Sequence, residues 1–184
     1  GLDDVLKFVK KDHDLAQAYQ AIDRLHEAGL IYDAHIMTGV AGKGRGMENA
    51  EALAQFLNRT NPAHVVNFSM FLHKEVPLYQ DIRQGTFVPA DELETIREEY
   101  HLIERIAPEK AGANILYDGF HDFIHVRVRG HLPGDKEKML AKLNGIIQEY
   151  EGKEPVYSFV QGECPDLEYC DDGKAVWDMD RKTS

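Results

Sequence analysis

Apolar positions along the first hundred residues recur by turns at helical and at strand spacing. Leu2, Val5, Leu6 and Val9 share one stripe of a helix over residues 1–11. A second helix, capped by Asp12 or Asp14, carries Leu15, Ala18, Tyr19, Ile22 and Leu25 and closes at Gly29. Period two takes over from Ile31 to Thr38, with Tyr32, Ala34, Ile36 and Thr38 on one face and Asp33, His35 and Met37 on the other. Gly39, Gly42, Gly44 and Gly46 interrupt the chain before a helix carrying Ala50, Leu53, Ala54 and Leu57, which Asn61-Pro62 stops. His64 to Phe71 alternates again, with Val66, Phe68 and Met70 as its apolar face against Val65, Asn67, Ser69 and Phe71. The order helix, strand, helix, strand calls for parallel pairing through a crossover. Glycine at the C-terminal end of such a strand lets backbone approach a ligand closely, at the edge where open α/β sheets bind.

In both strands one face suits packing against helices, while the other places polar groups in a space unlike ordinary core. A curled sheet with an occupied interior accounts for this, and predicts that His35 and Asn67 point into one cavity. Two parallel strands make no sheet on their own, because parallel sheets are buried on both faces and contain several strands. Since the chain also opens on a helix, the expectation is that an N-terminal part of the domain is missing. After a long connection, Pro89 precedes a helix with Leu93, Ile96, Tyr100, Ile103 and Ile106 at helical spacing. Residues 108–113 read as a linker. Beyond it Asp122–Leu132 alternates as a half-buried strand, with Ile124, Val126 and Val128 inward and Phe123, His125, Arg127, Arg129 and His131 outward. A helix with Met139, Leu140, Leu143, Ile146 and Ile147 inward follows Pro133-Gly134-Asp135, and Val156–Val160 suggests a short strand in a polar end. The expected organisation is an α/β region over residues 1–107 and a small α+β extension over 108–184.

Charge narrows the function classes. The 184 residues include 32 acidic and 21 basic ones, a formal charge of −11, which argues against sequence-independent nucleic-acid binding. No apolar run approaches the ~20 residues of a membrane span, and no signal peptide precedes the first helix, so a cytoplasmic protein with no membrane partner is expected. Cys164 and Cys170 are too few for a secreted disulfide framework and have no second pair to complete a metal site.

The glycine loop invites a nucleotide reading that its spacing does not support. Gly39-Val40-Ala41-Gly42-Lys43-Gly44 is too short for a P-loop and ends in glycine where Ser or Thr is needed. Gly44-Arg45-Gly46 is followed at the dinucleotide-fingerprint position by Asn49, and no acid closes the next strand. A phosphate at the helix N-terminus is physically possible. His121, His125 and His131 with Arg127 and Arg129 suggest a metal or anion site. Metal-binding histidines usually sit buried with a carboxylate or cysteine partner, whereas three of these five residues alternate along a strand's polar face, so no metal is expected there, and a solvated face or a contact to an acidic substrate reads better.

Taken together, residues 1–107 resemble the C-terminal half of a radical S-adenosylmethionine (SAM) enzyme of an uncharacterised iron–sulfur oxidoreductase subgroup. Gly1-Leu2-Asp3-Asp4-Val5-Leu6-Lys7 with Lys10-Lys11-Asp12-His13 is similar to the stretch after that family's fourth barrel strand, and Leu25-His26-Glu27-Ala28-Gly29-Leu30 to its helix and "EAG" turn. Ile31–Gly39 looks like the fifth strand with its glycine loop. Val65–Leu72, with Pro77-Leu78-Tyr79 and Gly85, looks like the sixth, and His131-Leu132-Pro133-Gly134-Asp135-Lys136 resembles C-terminal extensions of uncharacterised members. The resemblance implies an open (β/α)6-type barrel around a 4Fe-4S cluster and SAM, whose reductive cleavage yields a 5′-deoxyadenosyl radical that abstracts hydrogen from an unidentified small-molecule or peptide substrate. By position it puts Lys11 at the SAM carboxylate, His35 at the ribose, Thr38 and Gly39 along the cofactor, and Met70, Phe71 and Leu72 around the adenine. Asn67, Arg127 and Arg129 are the candidate substrate contacts.

Departures from the family pattern bear on activity. His35 stands where several members have Asp, Ala41 stands where many have Pro, and the Cys-x3-Cys-x2-Cys cluster motif is absent. The cluster ligands are therefore expected in a missing N-terminal half, with this chain alone inactive. Two other readings stay open: a non-redox α/β module binding a small molecule or phosphate through the Gly39–Gly46 loop, and a structural or interaction protein whose conspicuous residues only pack.

Overall fold

The computed structural model describes residues 1–121 and 123–158, together with the backbone of residues 168–169 and 175–176. Two short N-terminal helices come first, α1 (Asp3–Phe8) and α2 (Leu15–Glu27). The Asp14 side chain caps α2 by accepting from the Gln17 amide while Gln17 reaches back to the Asp14 amide, satisfying two donors the helix would otherwise leave free. Strand β1 (Asp33–Thr38), helix α3 (Gly46–Thr60) and strand β2 (His64–Ser69) follow, then the short α4 (Pro77–Arg83) and the longer α5 (Glu92–Arg105). The chain continues through β3 (Ile115–His121), β4 (Val126–Leu132) and α6 (Lys136–Tyr150). A two-residue antiparallel pair, β5 (Glu168–Tyr169) with β6 (Ala175–Val176), completes the described elements.

The first four strands form one open sheet in the order β1-β2-β3-β4, parallel through β3 and antiparallel at β4. Helices α3, α5 and α6 pack on one face of it. The core between the two layers holds Leu57, Ile96, Leu102, Ile103, Ile115 and Tyr117, all fully buried. Burying a large apolar side chain of this kind stabilises a fold by about 1.5–3 kcal/mol, so this layer supplies most of the driving force. A second, smaller cluster of Leu72, Tyr79, Ile82, Phe87 and Tyr157 anchors the segment after β2. The class is α/β, as expected. Its sheet runs across the expected boundary at residues 107/108, because β3 pairs with β2 along its length.

Several local expectations are corrected. The buried side of β2 is Val65, Asn67 and Ser69, while Phe68, assigned to the packing face, is exposed. Parallel register pairs Ile36 with Asn67 and His35 with Val66, so His35 and Asn67 lie on opposite faces of the sheet and share no cavity. The physical reason is that α5 supplies polar partners for the polar face of β2, and so makes that face the buried one. Strand β3 escaped the sequence pattern because Asp118 and Gly119 break its apolar run. Strand β4 starts at Val126 and not at Asp122, since His125 takes a left-handed backbone with φ 53° that ends the extended run. Helix α4, with Pro77 in its first turn, lies in what read as a bare connection. Residues 156–158 are not in a strand. The rest of that expected strand, with Cys164 and Cys170, lies outside the described residues.

Candidate functional site

Three carboxylates are buried where the parallel strands end. Glu92, Glu98 and Glu99 project from α5 toward the sheet, each no more than 1% exposed. Isolated, such charges would cost several kcal/mol apiece, yet all their oxygens find donors. Glu99 accepts from the Asn67 amide at 3.0 Å and the Tyr117 hydroxyl at 2.9 Å through Oε1, while its Oε2 lies 2.9 Å from His121 Nε2. Glu92 Oε1 accepts from the Ser69 hydroxyl at 3.0 Å, and its Oε2 is 3.2 Å from His121 Nδ1. Glu98 takes the Gly39 amide at 2.9 Å on Oε2 and the Asn49 side-chain amide at 2.7 Å on Oε1. One helix thus ties together the C-terminal part of β2, the end of β3 and the start of the glycine loop.

Small residues make room for these acids. A Cβ on Gly119 would lie 1.8 Å from Glu99 Oε1, and one on Gly46 would lie 3.0 Å from Glu98 Oε2. Burial alone would depress the pKa of His121, but the two carboxylates bonded to its ring nitrogens outweigh burial and lift it to about 10. The ring is therefore an imidazolium at neutral pH, donating to Glu92 on one side and Glu99 on the other. Burial raises Glu98 to about 7 against the opposing pull of Asn49 and Gly39. The Tyr117 hydroxyl is pushed well above its ordinary value by burial and by the neighbouring Glu99. Because the His121 nitrogens face opposite ways, these side chains do not converge on a point. Among the described residues no group of His, Cys, Asp or Glu is arranged to hold a metal ion.

The glycine loop is closed on its surroundings. Besides the Gly39–Glu98 bond, the Gly44 amide donates to Glu94 at 2.5 Å, Lys43 to the Val88 carbonyl at 2.8 Å, and Gly42 and Arg45 to carbonyls within the loop. Positive φ at Gly39, Gly42 and Gly44 makes this path possible. A phosphate placed there would meet the Glu94 and Glu98 carboxylates in place of free amides.

Among the described residues no helix packs on the opposite face of the sheet. In register across it run Met37, Phe68, Phe120 and Arg127, and in the next row His35, Val66, Asp118 and Arg129. Phe68 and Phe120 stack at 5.7 Å with planes 16° apart, His35 leans on Phe68, and the Arg127 guanidinium lies 4.7 Å over the Phe120 ring. Arg127 also grips Asp118 through two bonds of 2.9 and 2.7 Å, which hold that carboxyl below the usual range, and Arg129 Nε stands 3.6 Å away.

No family model, curated protein or solved structure matches this chain. Any function therefore has to be read from these two faces and the loop.

The expected site residues fall into separate groups. Thr38, Gly39 and Met70 come together: the Met70 amide donates to the Thr38 carbonyl at 2.9 Å, and a Gly39 Cβ would touch Met70. Leu72 is buried in the small cluster, and Phe71 is half exposed beside it. Asn67 is buried against Glu99, whereas His35, Arg127 and Arg129 line the open face. Lys11 lies in the turn between α1 and α2, its amide bonded back to the Leu6 carbonyl. Sequence reasoning missed Glu92, Glu98, Glu99 and Asp118. The signal was present for two of them, because Glu92, Ile96, Glu99 and Ile103 share one helical stripe.

For the cofactors that the resemblance implies, the fit is unequal. Residues 1–158 contain no cysteine, so the described chain offers no thiolate for an iron–sulfur cluster. For SAM there is one flank, His35 and Phe68 on the open face with Gly39 at the strand end; the Thr38 hydroxyl, which has no hydrogen-bond partner among the described residues, is buried on the other, helix-covered face.

Proposed function

We propose that these 184 residues are one wall of an open barrel in a radical SAM enzyme, with the helix-free face as its inner surface. The observation that carries the reading is the one-sided layering. Among the described residues, helices cover only one face of a largely parallel sheet, and the other presents His35, Phe68, Phe120 and an arginine pair close to the strands' C-terminal ends. In this reading His35 and Gly39 contact SAM, Phe71 borders its adenine, and Lys11 meets its carboxylate. The cluster would be held by cysteines outside this sequence, and bound SAM would supply the radical for hydrogen abstraction. The buried acids of α5 would act at one remove, by fixing the strand ends and the glycine loop.

The test uses the complete protein, reconstituted anaerobically with iron and sulfide. The expected result is a 4Fe-4S absorption and EPR signature with reductive SAM cleavage, together with SAM affinity weakened by roughly 1.5–3 kcal/mol in Lys11→Ala. A reconstituted protein that neither holds a cluster nor cleaves SAM would overturn the reading. Unchanged affinity in Lys11→Ala, measured by calorimetry, would remove that residue from the site.

The phosphate-binding alternative rests on the Gly39–Gly46 loop. It is the weaker reading, because the amides of Gly39, Gly42, Lys43, Gly44 and Arg45 already donate to carboxylates and carbonyls, and two of those acceptors are the Glu94 and Glu98 carboxylates.

A further inference from the structure

We infer that the open face binds a small monoanion with a planar apolar body, an aryl carboxylate in its simplest form, with Arg129 taking the carboxylate and Phe68 with Phe120 forming the floor. In naming a substrate class the inference rests on the barrel reading, although the binding it describes does not depend on radical chemistry.

The floor comes from register. Met37, Phe68 and Phe120 are adjacent in one row, and the two phenyl rings stack nearly parallel, leaving a flat apolar surface with Met37 and Phe68 both more than a third exposed. Aromatic faces of this kind prefer offset-stacked planar partners. Beside the floor, two guanidinium groups share a single carboxylate among the described residues, that of Asp118, so one positive charge is left over there. Arg127 is committed: it holds Asp118 with both ends of its fork and lies across Phe120. Arg129 is not. Its only contact to Asp118 is at 3.6 Å, too long for a hydrogen bond, and its side chain is 56% exposed. A planar fork with free donors next to an aromatic floor matches a carboxylate bidentately. With a formal charge of −11 on the chain, the surrounding field opposes polyanions more strongly than a single negative charge, which selects a monoanion.

The test is calorimetric titration of the complete protein, before any iron or SAM is added, with 2-naphthoate and with neutral 2-naphthamide. Naphthoate should bind about tenfold more tightly, as expected for a charge-assisted bidentate contact, and added salt should narrow the gap. Arg129→Gln should abolish the preference while leaving naphthamide binding unchanged; the Arg127–Asp118 pair stays intact in that variant. Phe68→Ala should weaken both ligands. Equal affinity of the wild type for the two probes would overturn the inference without any variant, as would an unchanged preference in Arg129→Gln. Sedimentation showing a dimer that Phe68→Ala dissociates would also overturn it, since a second copy would then occupy the face. Loss of SAM cleavage in the complete protein bears on the barrel reading alone, and loss of naphthoate selectivity on this inference alone.

Discussion

Gly119 stands opposite Glu99 in the middle of β3, where any side chain would overlap the carboxylate. Replacing it with alanine must either push Glu99 off Asn67, Tyr117 and His121 or shift the strand. Overpacking of this kind costs about 1–3 kcal/mol, and an orphaned buried charge would add to that. Gly119→Ala should therefore lower the denaturant midpoint markedly, whereas Gly44→Ala, with no atom within 4 Å of the added Cβ, should lose only the smaller cost of its positive φ. Comparable losses at the two sites would contradict the tight fit between Gly119 and Glu99. Sequence alone marks Gly119 as a strand-breaker, because the reason for the glycine sits on a helix some twenty residues earlier. Thr38 shows the same limit: period two puts it on a face, but which face is buried depends on what α5 brings.

At the scale of elements, α5 is the piece on which the others converge. Its apolar stripe was legible from spacing, and Ile96 and Ile103 are fully buried. Its acidic residues on the same stripe carried no such signal, since glutamate is seldom buried without partners. Their partners, Ser69, Asn67, Tyr117 and His121, come from two different strands, and no local pattern predicts a match of that range. Glu98 gives the arrangement a pH signature. Its folded-state pKa of about 7 lies above the ordinary 4.5, so the folded chain holds the proton more tightly. Stability from this group is complete below pH 4.5 and is lost as pH rises to about 7. His121, raised from 6.5 to about 10, adds stability that is present below 6.5 and lost toward pH 10. Glu98→Gln should remove the decline between pH 5 and 7, on the order of 1–3 kcal/mol, while the decline above neutrality persists. Chemical denaturation of both proteins across that range makes the comparison, and identical slopes would show that Glu98 does not titrate there.

The described residues form a two-layer arrangement of helices on a sheet, and much of its plan was readable. Alternating periods gave α1, α2, β1, α3, β2, α5, β4 and α6 in order, while β3, which joins the antiparallel β4 to the same sheet, was hidden behind an apparent linker. Among the described residues no helix is long and apolar enough to cross a membrane. The one-sided layering also makes the sheet uneven in its tolerance of change. Along each strand, every second residue is held by the helices and, among the described residues, every other one is held by little. Substitution of Ala34, Val65 or Tyr117 should abolish folding in a saturation scan scored by proteolysis, whereas His35, Phe68 and Arg129 should accept most replacements. The Asp118–Arg127 pair should be the exception on the free side. Such a surface can drift in chemistry from one descendant to the next while the scaffold beneath it stays put, which leaves specificity free to evolve at almost no cost in fold.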